Sequence, residues 1–145
     1  MAAYSFLDTK CAIVGPGGAF SLTGGSAKEG IEVDMIEDKN KMDIGADGSV
    51  MHSLRAGKAS KITVRLLKNS ITNSLLSAMY NFQTTSATLW GRNIISVSSG
   101  LGEELTAQQV AFTKQPKMVW SEDGNMNEWI FDAGITDELL AIGLL

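Results

Sequence analysis

Few residues in this chain have the type and spacing that chemistry requires. It contains a single cysteine, Cys11, and a single histidine, His52. A catalytic thiol needs a neighbouring base, and no motif ties these two together. Cys11 reads instead as a buried strand residue, and His52 as a strand residue with a hydrogen-bond partner. A zinc site takes about four ligands, which one cysteine and one histidine do not supply. The glycine loops fail as phosphate cradles. Gly15-Pro16-Gly17-Gly18 is followed by Phe20 where a dinucleotide loop has its third glycine. Gly57-Lys58 is followed by Ala59 rather than Ser or Thr, and His52 stands where the loop's first glycine belongs. Asp43-x-Gly45-x-Asp47-Gly48 opens like a calcium loop, but its closing position is Leu54 instead of glutamate. Asp123-x-Asn125-x-Asn127 has Glu128 at the glycine position. Glu37-Asp38 and Glu103-Glu104 are adjacent, so on a strand their carboxylates point to opposite faces. No nucleophile, base or cofactor cradle survives, and the expectation is a protein without catalysis, metal or cofactor.

What remains is charge and shape. The 145 residues suffice for one domain, 1–145, with its own core. Fifteen glycines against two prolines imply many tight turns between short strands. No apolar run approaches the ~20 residues of a membrane helix, and no basic-then-apolar leader opens the chain. A cytoplasm-like compartment is therefore expected. Residues 29–47 carry a net −5, residues 48–102 hold six bases and no acid, and residues 103–145 carry −6. Blocks of opposite sign must meet within the fold or between copies. The basic block is no convincing nucleic-acid site, because it lacks interleaved aromatics and the sequence pI is about 4.9.

The elements follow from periodicity. Tyr4 to Val14 predicts one or two strands ended by the glycine turn, with a brief strand at Ala19 to Leu22. Ile31 to Asp38 alternates, setting Ile31, Val33 and Met35 against Glu32, Asp34 and Asp38. Asp47-Gly48 marks a hairpin between Met42–Ile44 and Val50–Leu54. Lys61 to Lys68 alternates with a basic outer face, which would complement the acidic strand if the two pair. Residues 70–82 switch to helical period, with Ile71, Leu75, Met79 and Phe82 forming the inward stripe, widened by Leu76 and Tyr80. Further strands are expected at Ile94–Val97, Leu105–Phe112 extended through Met118–Trp120, and Asn127–Ala133, with a turn at 121–125. The apolar end, Leu139 to Leu145, calls for a groove in this copy or a neighbour.

Several stretches together carry a resemblance: Tyr4-Ser5-Phe6-Leu7-Asp8, Ile13-Val14-Gly15-Pro16-Gly17-Gly18, Glu37-Asp38-Lys39-Asn40, Ile44-Gly45-Ala46-Asp47-Gly48, Val50-Met51-His52-Ser53, Val64-Arg65-Leu66-Leu67-Lys68, Ser77-Ala78-Met79-Tyr80-Asn81 and Asn127-Glu128-Trp129. In order and spacing the chain resembles the tail tube (inner tube) proteins of contractile-tailed bacteriophages over nearly its whole length. The resemblance implies a mainly β fold, a β-sandwich or half-barrel with one flanking α-helix. It implies hexameric rings stacked into a tube, sheath and baseplate or terminator proteins as partners, and transient passage of DNA through the lumen. The setting would be a virion tail assembled in the host bacterial cytoplasm.

On that reading Glu32, Asp34 and Asp38 are the candidate lumen-facing residues, since an acidic wall lets phosphate slide. Candidate interface residues are Lys39, Asn40, Lys41, Asp43, Asp47, Arg55, Lys61, Arg65, Leu144 and Leu145. Residues 39–48 are expected to reach the next ring, and charge reversal at Lys61 or Arg65 to weaken assembly with little loss of fold. The alternatives are a ring subunit of a related secretion or bacteriocin machine, or another small virion protein such as a tail terminator. A monomeric ligand-binding barrel would need an internal cavity with converging polar groups.

Overall fold

Alternating side chains build nine strands among the residues that the computed structural model describes, 3–23 and 26–140. They are β1 (Lys10–Gly15), β2 (Gly18–Ser21), β3 (Ser26–Met35), β4 (Asn40–Ile44), β5 (Val50–Leu54), β6 (Ser60–Leu67), β7 (Asn93–Ser98), β8 (Glu104–Lys114) and β9 (Met126–Leu139). One helix, α1 (Ile71–Gln83), joins β6 to β7. Seven strands form one antiparallel sheet in the order β2-β1-β7-β8-β9-β6-β3, while β4 and β5 pair only with each other. The fold is mainly β with one flanking helix, and a single open sheet rather than two stacked layers forms the half-barrel. Its curl is visible at one end. Ile31 and Val33 of β3 line the same groove as Val97 of β7, with Tyr4 and Phe6 across its floor. On a flat sheet those strands would lie about 19 Å apart.

The inner face is where the period-two pattern pays off. Ile62 and Val64 of β6 lie opposite Phe131 and Trp129 of β9, with Leu66 and Ala133 on the same face, all buried. Burying side chains of this size stabilises by about 1.5–3 kcal/mol each. Phe112 of β8 joins them, with ring centres 4.9 Å from Phe131, 5.5 Å from Tyr80 and 5.9 Å from Trp129. Helix α1 crosses this face. Ser70 caps it by accepting from the Thr72 amide at 3.3 Å.

The helix is rotated from the expected stripe. It buries Thr72, Leu76, Met79 and Gln83, while Ile71, Leu75 and Phe82 are exposed. Polar anchors explain the rotation. Asn73 accepts from the Trp129 indole N–H at 3.0 Å. Gln83 and Asn93 exchange two amide hydrogen bonds, of 2.7 and 3.0 Å, and Gln83 also donates to the Pro16 carbonyl at 2.9 Å. Both amides are fully buried. Buried amides need partners, and this sheet supplies them only at the angle that turns Ile71 and Phe82 outward.

Other expectations shift at element ends. The first turn, Phe6–Asp8, is a 3-10 helix instead of strand, capped by Ser5, and β1 starts only at Lys10. Strand β3 stops at Met35, because Ile36 turns away after its amide bonds the Ala59 carbonyl at 3.0 Å. Met118–Trp120 is not strand. After β8 ends at Lys114, residues 115–125 form an irregular connection, which Lys68 anchors by donating to the Val119 carbonyl.

Strand β8 carries one extra residue opposite β7, between the pairs Ile95–Ala107 and Asn93–Val110. The bulge sets Gln109 at φ +54°, and its side chain lies over Gly134, where any Cβ would meet Gln109 Oε1 at 3.1 Å.

Replacing Asn93 by Leu strands the buried Gln83 amide, and a loss of about 1–3 kcal/mol is expected in urea unfolding. The double variant Gln83→Leu/Asn93→Leu should lose less than the two single losses added together. Simple additivity would show that the amides do not act as a pair.

Candidate functional site

The uncovered face of the sheet takes every second residue of the same strands. On β9, β6 and β3 these residues are charged and interlocked. Arg65 pairs across the strands with Glu128, Nε to Oε2 at 3.3 Å, and reaches Glu32 Oε2 at 3.7 Å. Two rows along, past Glu32, Thr63 and Ile130, Lys61 lies between Asp132 and Asp34 in register. Each base is flanked by two acids, leaving four carboxylates against two cations on this patch. Across β8, β7 and β1 the same face is mixed: Thr106, Ser96 and Ala12 share one row, Glu104, Ser98 and Lys10 the row on one side, and Val14 and Ile94 stand exposed in the row on the other. The opposite charge blocks therefore meet inside one subunit, as the pairing of β3 with β6 required.

The expected acidic face is thus present in part. Glu32 and Asp34 project from it, whereas Asp38 does not share it, because the chain leaves β3 before that position and bends. Glu128 and Asp132 stand on it as well. Their alternation with Trp129 and Phe131 was visible, but their place beside Lys61 and Arg65 comes from strand order, which periodicity does not encode. Arg65 differs from its expected part. Its side chain is only 17 % exposed and already holds two carboxylates, so reversing its charge acts on the fold first.

The second surface is an arm. From Asp34 through His52 every residue is exposed. The β4–β5 hairpin projects here, turned by Gly48 at φ +89° and closed by the Gly45 amide on the Ser49 carbonyl at 2.7 Å. Asp47 accepts from the Ser49 amide at 3.1 Å and its hydroxyl at 2.6 Å, which holds its carboxyl below the usual range. The near-calcium motif is this turn. Lys41 and Asp43 pair loosely at 4.0 Å on one side of the hairpin. The other side is apolar: Met42, Ile44, Val50 and Leu54, with His52 and Asn40 sharing a 3.2 Å hydrogen bond between them. The signal for that stripe in the sequence is the apolar alternation of Met42 with Ile44, masked by the charges at the alternate positions Lys41 and Asp43. Lys39 and Arg55 sit at the base, where Lys39 Nζ donates to the Arg55 and Gly57 carbonyls at 2.9 and 3.0 Å. Leu144 and Leu145 lie outside the described residues.

Among the described residues no three His, Cys, Asp or Glu side chains stand where they would hold a metal. No described helix is long and apolar enough to cross a membrane. Burial pushes the Cys11 thiol up to about 12. The remaining structural feature is edge. Strands β2 and β3 each leave one side unpaired, at opposite ends of the curled sheet.

An open sheet with free edges, a charged face and a projecting apolar arm defines a structural subunit built to associate. The chain belongs to the bacteriophage PhiTE tail tube protein family, whose model matches residues 1–141. It is a tail tube structural subunit, a component of a virion or injection particle. No curated protein matches the sequence. Its fold is similar to that of solved chains from contractile injection systems. One, in the PVC sheath–tube complex in the extended state, superposes with a TM-score of 0.62 at 12 % identity, covering 94 % of this chain and 91 % of that one. Another, from the PVC sheath/tube terminator, gives 0.58 at 12 % identity, covering 97 % and 99 %. A third, from the anti-feeding prophage baseplate, gives 0.56 at 9 % identity, covering 99 % of each.

Arg65→Glu, which would gather three carboxylates, is expected to lower stability by about 1–2 kcal/mol in urea unfolding. The exposed Lys61→Glu should cost less than about 1 kcal/mol. Equal effects would mean that the network around Arg65 carries no weight. Cys11 should resist thiol reagents at pH 8 in the folded protein and react once urea unfolds it; labelling of the native state would contradict its burial.

Proposed function

We propose that copies of this chain close into hexameric rings through the free edges of β2 and β3, and that the rings stack into a tube. The open edges carry this reading. An unpaired strand is a template for another chain, and a ring that joins one edge to the other leaves none exposed. In such a ring each subunit, as one domain over residues 1–145, contributes its uncovered face to a common wall. Glu32 and Asp34 then line the lumen together with Glu128 and Asp132, with Asp38 at the rim. The surplus of carboxylates repels phosphate, so DNA passes without sticking.

The subunit does no chemistry of its own. It works as wall and conduit, assembled in the host cytoplasm, with sheath outside and baseplate and terminator at the ends. The similar chains come from a sheath–tube complex, a terminator and a baseplate, which supports those partners. They also favour the second reading, a tube of a non-phage injection machine, whereas the family match favours the phage tail. The arm, with Lys39, Asn40, Lys41, Asp43 and Asp47, is the contact to the next ring, and Arg55 supports its base.

Electron microscopy of concentrated protein should show six-fold rings or tubes; a persistent monomer would overturn the proposal. Glu32→Lys/Asp34→Lys tubes should retain DNA at low salt and release it as salt rises, with at least a tenfold gain in binding over the parent. Tubes of the variant that ignore DNA would place this face elsewhere than the lumen.

A further inference from the structure

The arm needs a seat, and the molecule carries one surface that matches it. The hairpin leaves the sheet beside the start of β6, where Met35 pairs with Ser60. At the other end of β6 lies a groove of about 260 Å³ walled by Lys68, Asn73, Pro116, Met118 and Trp120. The eight residues of β6 separate the two by about 27 Å. Arm and groove therefore occupy opposite poles, which is the arrangement that head-to-tail stacking requires.

Their chemistry also corresponds. Met118 is 72 % and Trp120 76 % exposed, an unusual display for side chains this large. The arm offers Ile44, Val50 and Leu54, exposed by 66, 52 and 87 %. A two-stranded hairpin alone is marginal in water, so its apolar side gains most from a partner. The groove is held ready. Lys68 Nζ donates to the Val119 carbonyl and lies 5.8 Å from the centre of the Trp120 ring, and the Lys68 amide bonds the Asn125 carbonyl at 3.1 Å. Lys68 pairs with no carboxylate among the described residues, and Lys117 precedes Met118 on the loop. The arm's tip brings Asp43 and Asp47.

We infer that the groove beside Trp120 is the seat for the β4–β5 hairpin of a second copy of this chain, with the apolar side against Trp120 and Met118 and the acidic tip near Lys68. This rests on the reading that the arm contacts the next ring, and it adds where the arm lands.

Two pairs of substitutions separate the two claims. Ile44→Ser/Val50→Ser alters the arm, and Met118→Ser/Trp120→Ser alters the groove; all four residues are exposed, and circular dichroism confirms that each variant folds. Each pair should raise the protein concentration needed for tubes at least tenfold while single rings still form, and combining the pairs should add little. If only the arm pair acts, the arm reading stands and the Trp120 seat is wrong. If neither acts, both fall. If the groove pair prevents rings themselves, the groove is a lateral contact and the inference fails. A Val50→Cys/Met118→Cys variant gives an independent readout, because Cys11 is buried and stays silent. Mild oxidation of tubes should yield a ladder of covalent oligomers, where each single variant stops at dimers; dimers alone from the double variant would overturn the seat.

Discussion

The joint on which this fold depends is the buried amide pair between Gln83 and Asn93. It fixes the end of α1 to the start of β7 and, through the Pro16 carbonyl, to the β1–β2 turn. Gly15 must lack a side chain there, since a Cβ would stand 1.9 Å from Asn93 Oδ1. With that end fixed, and Asn73 holding the other end to Trp129, the helix has one orientation across the sheet. The core closes beneath it and Ile71, Leu75 and Phe82 are left outside. A purely apolar helix face would have allowed sliding; polar groups that must be satisfied do not.

The charges obey a related logic. Lys61 and Arg65 lie centrally among acids from both neighbouring strands, so their attraction is satisfied within the subunit. What the face presents outward is the excess, and the excess is negative. The segregation of charge along the chain, basic in the middle and acidic on both sides, is the one-dimensional trace of a basic strand, β6, placed between β3 and β9.

Local rules were therefore readable and long-range ones were not. The strands over Ile31–Met35, Lys61–Leu67 and Asn127–Ala133 and the Asp47-Gly48 turn follow from alternation and turn chemistry, both of which act within a few residues. The rotation of α1 did not, because Gln83 and Asn93 were polar residues of no evident purpose until the fold joined them. The alternation that reaches Asp38 fails because it runs past the point where Ile36 turns away. At the candidate surfaces, Glu32 and Asp34 could be found from spacing, whereas Glu128 and Asp132 required knowing which strand lies next to which. Strand character extended to Trp120 overlooks Pro116 before it and Gly124 after it, which mark the irregular loop that displays it.

The exposed arm has a consequence for the protein before it assembles. A hairpin with one apolar side and free backbone edges is a template for fibril growth, since identical arms can stack strand on strand. In-register stacking would set Lys41 on Lys41 and Asp47 on Asp47, and like charges directly opposed are unfavourable. The charges flanking Met42, Ile44 and Val50 therefore act as gatekeepers. They tolerate a dissimilar surface and disfavour an identical one, which works against arm-on-arm growth.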